Sequence, residues 1–134
     1  MTNYLLDTNH ASRLMSQDSH IVKKLKETNK DGATFSISIT VLSELFFAVY
    51  ASQHQQQNKK RLIHMLQALP IYEFDQVAAE EFGKIQAEQK AKGRPIPPMD
   101  AQIAAVARKQ ALTILTADKH FSFIDGLNVE NWLT

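Results

Sequence analysis

Cysteine is absent from this chain, which removes disulfides, thiolate zinc sites and cysteine nucleophiles and agrees with a reducing cytosol. Charge of one sign is lacking too. Fifteen Lys and Arg face fourteen Asp and Glu, a formal net charge of +1, so any contact with nucleic acid has to come from a local basic patch, not from an overall cationic surface. No apolar run approaches the roughly 18 residues of a membrane span. The opening Met1-Thr2-Asn3-Tyr4-Leu5-Leu6-Asp7 has neither the basic lead nor the apolar stretch of a secretion signal, so a cytoplasmic protein with no membrane partner is expected. There is no repeat, linker or low-complexity tract, the run Gln55-Gln56-Gln57 being too short to count. Proline is scarce, and three of the four prolines fall in Gly93-Arg94-Pro95-Ile96-Pro97-Pro98, the clearest loop in the chain. What is present is 134 residues at 44% hydrophobic, enough for one compact domain with a core and too little for two.

Short β-type runs alternate with longer helical patterns, the signature of an α/β domain with a mainly parallel central sheet flanked by helices. Tyr4-Leu5-Leu6 is a short apolar strand, and Thr8-Asn9 caps a helix from His10 to Met15. A second helix starts at Asp18 or Ser19, turns Ile21, Val22 and Leu25 inward and stops near Asn29. Thr34 to Ile39 alternates and is β-branched, as a strand is. Thr40 caps a helix from Val41 to about Gln53, another runs to Leu69 before Pro70, and Ile71 to Phe74 reads as a short strand. Asp75 caps a long helix marked by Val77, Ala78, Phe82 and Ile85, which the proline loop terminates. A helix from Met99 to Gln110, with Met99, Ile103, Val106 and Ala107 as core, leads to a Thr113 to Leu115 strand. A Lys119-His120-Phe121 turn and a last strand or edge segment from Leu127 to Trp132 complete the chain.

Four carboxylates stand where folding has little use for them. Asp7 ends the run Tyr4-Leu5-Leu6, Asp118 closes Thr113-Ile114-Leu115-Thr116, Glu44 interrupts an apolar helix, and Asp100 opens the helix after the proline loop. Acids at the edge of buried segments are costly unless something binds them. In open α/β sheets, ligand sites lie outside the carboxyl ends of the strands, where all four of these acids are placed to converge. Ionised together they would repel, so either a carboxyl takes up a proton or a cation neutralises the group. Mg²⁺ or Mn²⁺ suits carboxylate and water oxygens and leaves room for a phosphate; the chemistry then on offer is phosphodiester hydrolysis by metal-activated water. Taken singly, Asp7 and Asp118 also read as helix or turn caps, and Asp100 as the complement of a helix dipole. Glu44 has apolar neighbours on every side and no such alternative.

Four ordered blocks carry a resemblance: Leu6-Asp7-Thr8-Asn9; Ser38-Ile39-Thr40-Val41-Leu42-Ser43-Glu44-Leu45; Ile96-Pro97-Pro98-Met99-Asp100-Ala101-Gln102-Ile103-Ala104-Ala105-Val106-Ala107; and Leu115-Thr116-Ala117-Asp118-Lys119-His120-Phe121. With the tail Ile124 to Trp132, they resemble the PIN domain family, and most closely its VapC-type toxins, over essentially the whole chain. The resemblance implies a metal-dependent endoribonuclease. Its acids correspond to Asp7, Glu44, Asp100 and Asp118, with the Thr8 and Thr116 hydroxyls as supporting polar contacts. Such proteins are usually dimeric, cut a structured RNA, often a tRNA, and are inhibited by a cognate VapB-type antitoxin. His10 stands where many relatives carry an aliphatic residue; it is read as a surface or cap-like histidine and not as a fifth ligand.

Arg94 and Lys119, beside the proposed ligands, are candidates to contact RNA phosphates, with His120 next to them, whereas Lys59, Lys60 and Arg61 read as a solvated helix face. Val41 to Ala51 carries more apolar surface than one helical face can turn inward, which makes Phe46, Phe47 and Tyr50 candidates for a dimer or antitoxin interface. Three other functions compete. A phosphoacceptor receiver module also has an acidic Mg²⁺ pocket, but it needs adjacent acids after its first strand, where Leu6 precedes Asp7. A PIN-fold RNA-processing nuclease without an antitoxin keeps the chemistry and changes the biology. A metal-free ribonuclease would need two of His10, His20, His54, His64 and His120 as base and acid, and their contexts are scattered.

Overall fold

The computed structural model describes residues 2–133. Strands β1 (Asn3–Leu6), β2 (Thr34–Ser38), β3 (Ile71–Tyr72), β4 (Thr113–Leu115) and β5 (Asn128–Glu130) form one sheet in the order β3-β2-β1-β4-β5, with every neighbouring pair parallel. Parallel strands are covered on both faces and therefore read as continuous apolar runs. Leu5, Ile37 and Ile114 accordingly have no exposed surface. From β1 the chain moves outward to β2 and β3, then crosses back to the other side of β1 for β4. The strand order thus reverses between β1 and β4, where open α/β sheets leave a crevice at the carboxyl ends. Leu6 lies opposite Leu115 across that junction, and the Asp7 amide donates to the Leu115 carbonyl at 2.9 Å.

The helices are α1 (Thr8–Met15), α2 (Ser19–Lys30), α3 (Ile39–Ala51), α4 (Gln55–Leu66), α5 (Gln76–Ala91) and α6 (Pro98–Gln110). Asp18 and Asp75 cap α2 and α5 as expected, but two other caps sit one or two residues earlier than the sequence suggests. Asp7, not Thr8-Asn9, caps α1, and Ser38, not Thr40, caps α3 by accepting from the Val41 amide at 3.2 Å. The chain turns into helix immediately at the strand end in both places. Helix α4 stops at Leu66, short of Leu69. Pro98 starts α6 at a position that needs no amide donor. Ala101, Ala104, Ala105 and Ala107 are fully buried, so small side chains let α6 pack closely. Met99, expected in the core, is instead 44% exposed: it shares a helical face with Ile103 and Val106 but falls in the first turn of α6, at the end of that row.

His10 is also corrected, since it is fully buried. Its Nε2 accepts from the Trp132 backbone amide at 3.0 Å. Burial, with a smaller contribution from Arg13, lowers its pKa to about 4, so the ring is neutral at physiological pH. The Trp132 side chain joins Tyr4 and Phe35 in an aromatic group with ring centroids 5.2 to 5.7 Å apart. This is how the tail is fastened to the first strand.

Candidate active site

Asp7 must leave β1 and cap α1 at once, and its two carboxylate oxygens divide the work. Oδ1 accepts from the Thr8 amide at 2.7 Å and Oδ2 accepts from the Thr116 hydroxyl at 2.7 Å. Thr116, buried at the end of β4, in turn accepts from the Asp118 amide at 3.0 Å. On the other side, the Thr8 hydroxyl donates to Glu44 Oε1 at 2.9 Å, holding that half-buried acid over the carboxyl end of β1. Asp118 caps a 3₁₀ turn, Lys119–Phe123, by accepting from the His120 amide at 2.9 Å. Its fully buried Phe121 pins that turn to the core.

Asp100 reaches the same place from the first turn of α6. Its Oδ2 lies 3.6 Å from His120 Nδ1, which is itself 3.1 Å from Asp118 Oδ1. Burial, then the charges of Asp118 and Asp7, raise the Asp100 pKa to about 6 against a smaller opposing effect of His120. Burial also raises Asp7, although its Thr116 and Thr8 hydrogen bonds oppose this, and Asp118 adds to the rise. Like charges that shift one another in this way share one electrostatic site. The structure therefore brings Asp7, Asp100 and Asp118 into one electrostatic group, and the Thr8 hydroxyl ties Glu44 to its edge as the Thr116 hydroxyl orients Asp7. Arg94 and Lys119 are both exposed; the Arg94 guanidinium lies 4.8 Å from the Phe123 ring, which ties it to the 3₁₀ turn.

Thr40 and Gln102 were missed as parts of this site, and His120 was read only beside Lys119 as a phosphate contact. His120 places a ring nitrogen among the acids, a position that its spacing two residues after Asp118 could have suggested. The buried Thr40 hydroxyl donates to Gln102 Oε1 at 2.9 Å, tying α3 to α6 between Glu44 and Asp100. Thr40 and Glu44 are four residues apart and so share a helix face, which was the available signal. The other histidines lie elsewhere: His10 is committed to Trp132, and His20, His54 and His64 are exposed on or beside α2 and α4.

A large groove lies away from the acids. It has a volume of about 1140 Å³ and runs between α1, α2 and α4, lined by apolar residues that include Leu14, Val22, Phe35 and Met65. Lys23, Lys26, Lys60, Arg61 and His64 also line it, and no acid does. On α3, Val41, Leu42, Leu45 and Val49 face the core, while Phe46 is half-buried and stacks on Tyr50 at 6.4 Å. Phe47 and Tyr50 are 76% and 53% exposed. No helix among the described residues is long and apolar enough to cross a membrane.

A protein named tRNA(fMet)-specific endonuclease VapC, from Shigella flexneri, is 29% identical over 133 residues, covering 98% of this chain and 99% of the relative. The crystal structure of VapBC2 from Rickettsia felis bound to a promoter DNA fragment contains a chain 29% identical, with a TM-score of 0.90 over 98% of this chain and 99% of that one. DNA-bound VapBC from Salmonella typhimurium supplies another at 28% identity and a TM-score of 0.88, covering 98% and 99%. The model of the PIN domain family matches residues 4–127, from β1 through the strands and helices that carry all four acids: the chain belongs to the PIN domain family.

Proposed function

We propose that this chain, read as one PIN domain throughout, is the endoribonuclease toxin of a VapBC-type pair. The observation that carries the chemistry is the hydrogen-bonded run Glu44, Thr8, Asp7, Thr116, Asp118, joined electrostatically to Asp100 at the strand-order reversal. Similarity to a tRNA(fMet)-specific endonuclease and to chains of VapBC complexes supports the substrate and partner. The substrate class is a structured RNA, and a tRNA is the specific candidate.

The donor set fits a hard dication. Ligand atoms of Asp100, Asp118 and His120 lie within 4.8 Å of one another, and Asp100 resists ionisation without a counter-charge. Asp7, Glu44, Asp100 and Asp118 would hold Mg²⁺ or Mn²⁺, which supplies Lewis acidity for attack of water on the phosphodiester. Thr116 and Thr8 orient Asp7 and Glu44, and Arg94 and Lys119 grip flanking phosphates. Cleavage is expected to stop in excess EDTA, to return with Mg²⁺ or Mn²⁺, and to leave 5′-phosphate and 3′-hydroxyl ends when a tRNA pool is cut and its ends are sequenced. Persistence in EDTA, or 2′,3′-cyclic phosphate ends, would show the ribose 2′-hydroxyl as nucleophile and remove the metal reading.

The basic, apolar groove fits an amphipathic acidic segment of the antitoxin. The exposed Phe47 and Tyr50 offer a second protein contact, a further part of the antitoxin or another copy of this chain. A basic antitoxin side chain reaching Asp7 and Asp118 would inhibit by occupying the carboxylates. Lys26→Glu with Arg61→Glu is expected to weaken capture of the antitoxin encoded beside this protein by tenfold or more, on the order of 1.4 kcal/mol, with RNase activity unchanged. Mass in solution, alone and with that neighbour, separates the two roles for Phe47 and Tyr50. Unaltered capture removes the groove assignment, and a neighbour that neither binds nor inhibits favours a processing nuclease.

A further inference from the structure

The acids account for the hard-oxygen part of the centre but not for His120. The side chain is 45% exposed, yet its Nδ1 atom is inaccessible and has no hydrogen-bond partner among the described residues. That atom is aimed at the acids: it lies 3.1 Å from Asp118 Oδ1 and 3.6 Å from Asp100 Oδ2, with neither contact aligned as a hydrogen bond. Ligand atoms of Asp100, Asp118 and His120 all fall within 4.8 Å of one another. Adjacent donors of an octahedral shell with bonds of about 2.1 Å stand about 3.0 Å apart, and opposite donors about 4.2 Å. The triad is already close to that spacing.

The ring is held in place from two sides. Its backbone amide donates to Asp118 Oδ1, and Phe123 packs against it edge-on with centroids 6.2 Å apart. A histidine serving only to attract phosphate would present its polar edge to solvent, whereas here one ring nitrogen is shut off from water and turned inward between two carboxylates, without an aligned hydrogen bond to either.

We propose that His120 supplies a nitrogen ligand alongside Asp100 and Asp118, so that the centre selects a transition-metal dication such as Mn²⁺ over Mg²⁺. The assignment rests on the metal reading above and deepens it. Oxygen donors suit Mg²⁺ and Mn²⁺ alike, but an imidazole adds affinity along the first-row series, from Mn²⁺ upward, and little for Mg²⁺. Metal choice is then set by one side chain in the 3₁₀ turn.

Mn²⁺ is both the ligand and the probe. The full-length protein loaded with one equivalent of Mn²⁺ should show ¹⁴N modulation in pulsed electron paramagnetic resonance, and His120→Gln should lose it while still binding Mn²⁺ through the acids. By calorimetry, the variant's Mn²⁺ affinity should fall roughly tenfold or more, the scale on which even outer-shell partners of metal ligands act, with Mg²⁺ affinity changed far less. Saturable Mn²⁺ binding that Asp100→Asn weakens, without any ¹⁴N coupling in the wild type, overturns the His120 assignment and leaves the acidic metal centre standing. An unchanged Mn²⁺ to Mg²⁺ affinity ratio in His120→Gln overturns it as well. No Mn²⁺ binding at all overturns the metal reading together with it. The wild-type spectrum needs no variant, so a poorly folded substitution cannot mask the result.

Discussion

Asp7→Asn, Glu44→Gln, Asp100→Asn and Asp118→Asn, made singly, should each slow RNA cleavage by about 10³-fold with the fold intact. A dication in a hydrolytic site stabilises several kcal/mol of developing charge, and each 1.36 kcal/mol is tenfold in rate, so loss of one anionic ligand is expected on that scale. The amide separates the two roles that Asp7 and Asp118 combine. Asn is as good an N-cap as Asp, so the start of α1 and the 3₁₀ turn survive while the ligand charge disappears. Circular dichroism and denaturation check the fold, and single-turnover cleavage reads the rate. An Asp100→Asn protein cutting at the wild-type rate would reduce that acid to a complement of the α6 dipole.

The same substitution has a stability signature in EDTA. The Asp100 pKa is raised from 3.8 to about 6 in the fold, so the native state prefers the protonated carboxyl. That contribution is fully present below about pH 3.8 and is lost as pH rises through about 6, up to about 3 kcal/mol for a side chain 20% exposed. Asp100→Asn is neutral at every pH. It should therefore be more stable than the wild type above pH 6 without metal, and added Mg²⁺ or Mn²⁺ should erase its advantage. Equal stability of the two proteins at pH 7 in EDTA would mean that the acids do not strain the metal-free fold.

Arg108→Ala should destabilise the protein by about 2 kcal/mol in urea denaturation, below the roughly 3–5 kcal/mol that removing one partner of a fully buried pair costs, because the bridge is only half-buried. Arg108 sits on α6, 14% exposed, and bridges two acids of α5. Its Nε donates to Glu81, itself 13% exposed, and its two terminal nitrogens donate to the two Glu88 oxygens at 2.8 and 3.0 Å. Removing the guanidinium strands Glu81 without a partner. The double variant Arg108→Met with Glu81→Gln should recover most of the loss, because well-packed neutral groups replace buried ion pairs at little cost. A loss under 1 kcal/mol would mean that solvent screens the bridge like an ordinary surface pair. Arg108 lies two turns from Asp100, so the folded variant should keep its cleavage rate.

The α/β class, the strand runs and the four acids were legible because they depend on local pattern. Even the two readings of Asp7 and Asp118 turned out to be compatible: each is a cap through its own amide neighbours and also faces the acid group with its charge. His10 was misread because its burial depends on Trp132, 122 positions away in the chain, and no window around residue 10 contains that contact. Thr40 was misread as a cap because Ser38 two residues earlier also carries a hydroxyl, and only the abrupt passage from β2 to α3 chooses between them. His120 looked like one member of a basic surface pair, since the direction of a ring nitrogen is not written in the order of residues.

The sequence by itself determined an α/β domain in which two strand runs, Tyr4-Leu5-Leu6 and Thr113-Ile114-Leu115, lead into the acids Asp7 and Asp118, since hydrophobic period and composition are properties of each segment. Only the tertiary structure decided that these ends meet. Parallel register sets Leu6 against Leu115, the order of the strands reverses at that junction, and the alanine face of α6 lets Asp100 approach from the side. The physical reason is that a carboxylate's pKa comes from groups close to it in space, and Asp7, Asp100 and Asp118 become neighbours, with Glu44 tied to them through Thr8, only when long-range packing brings them together.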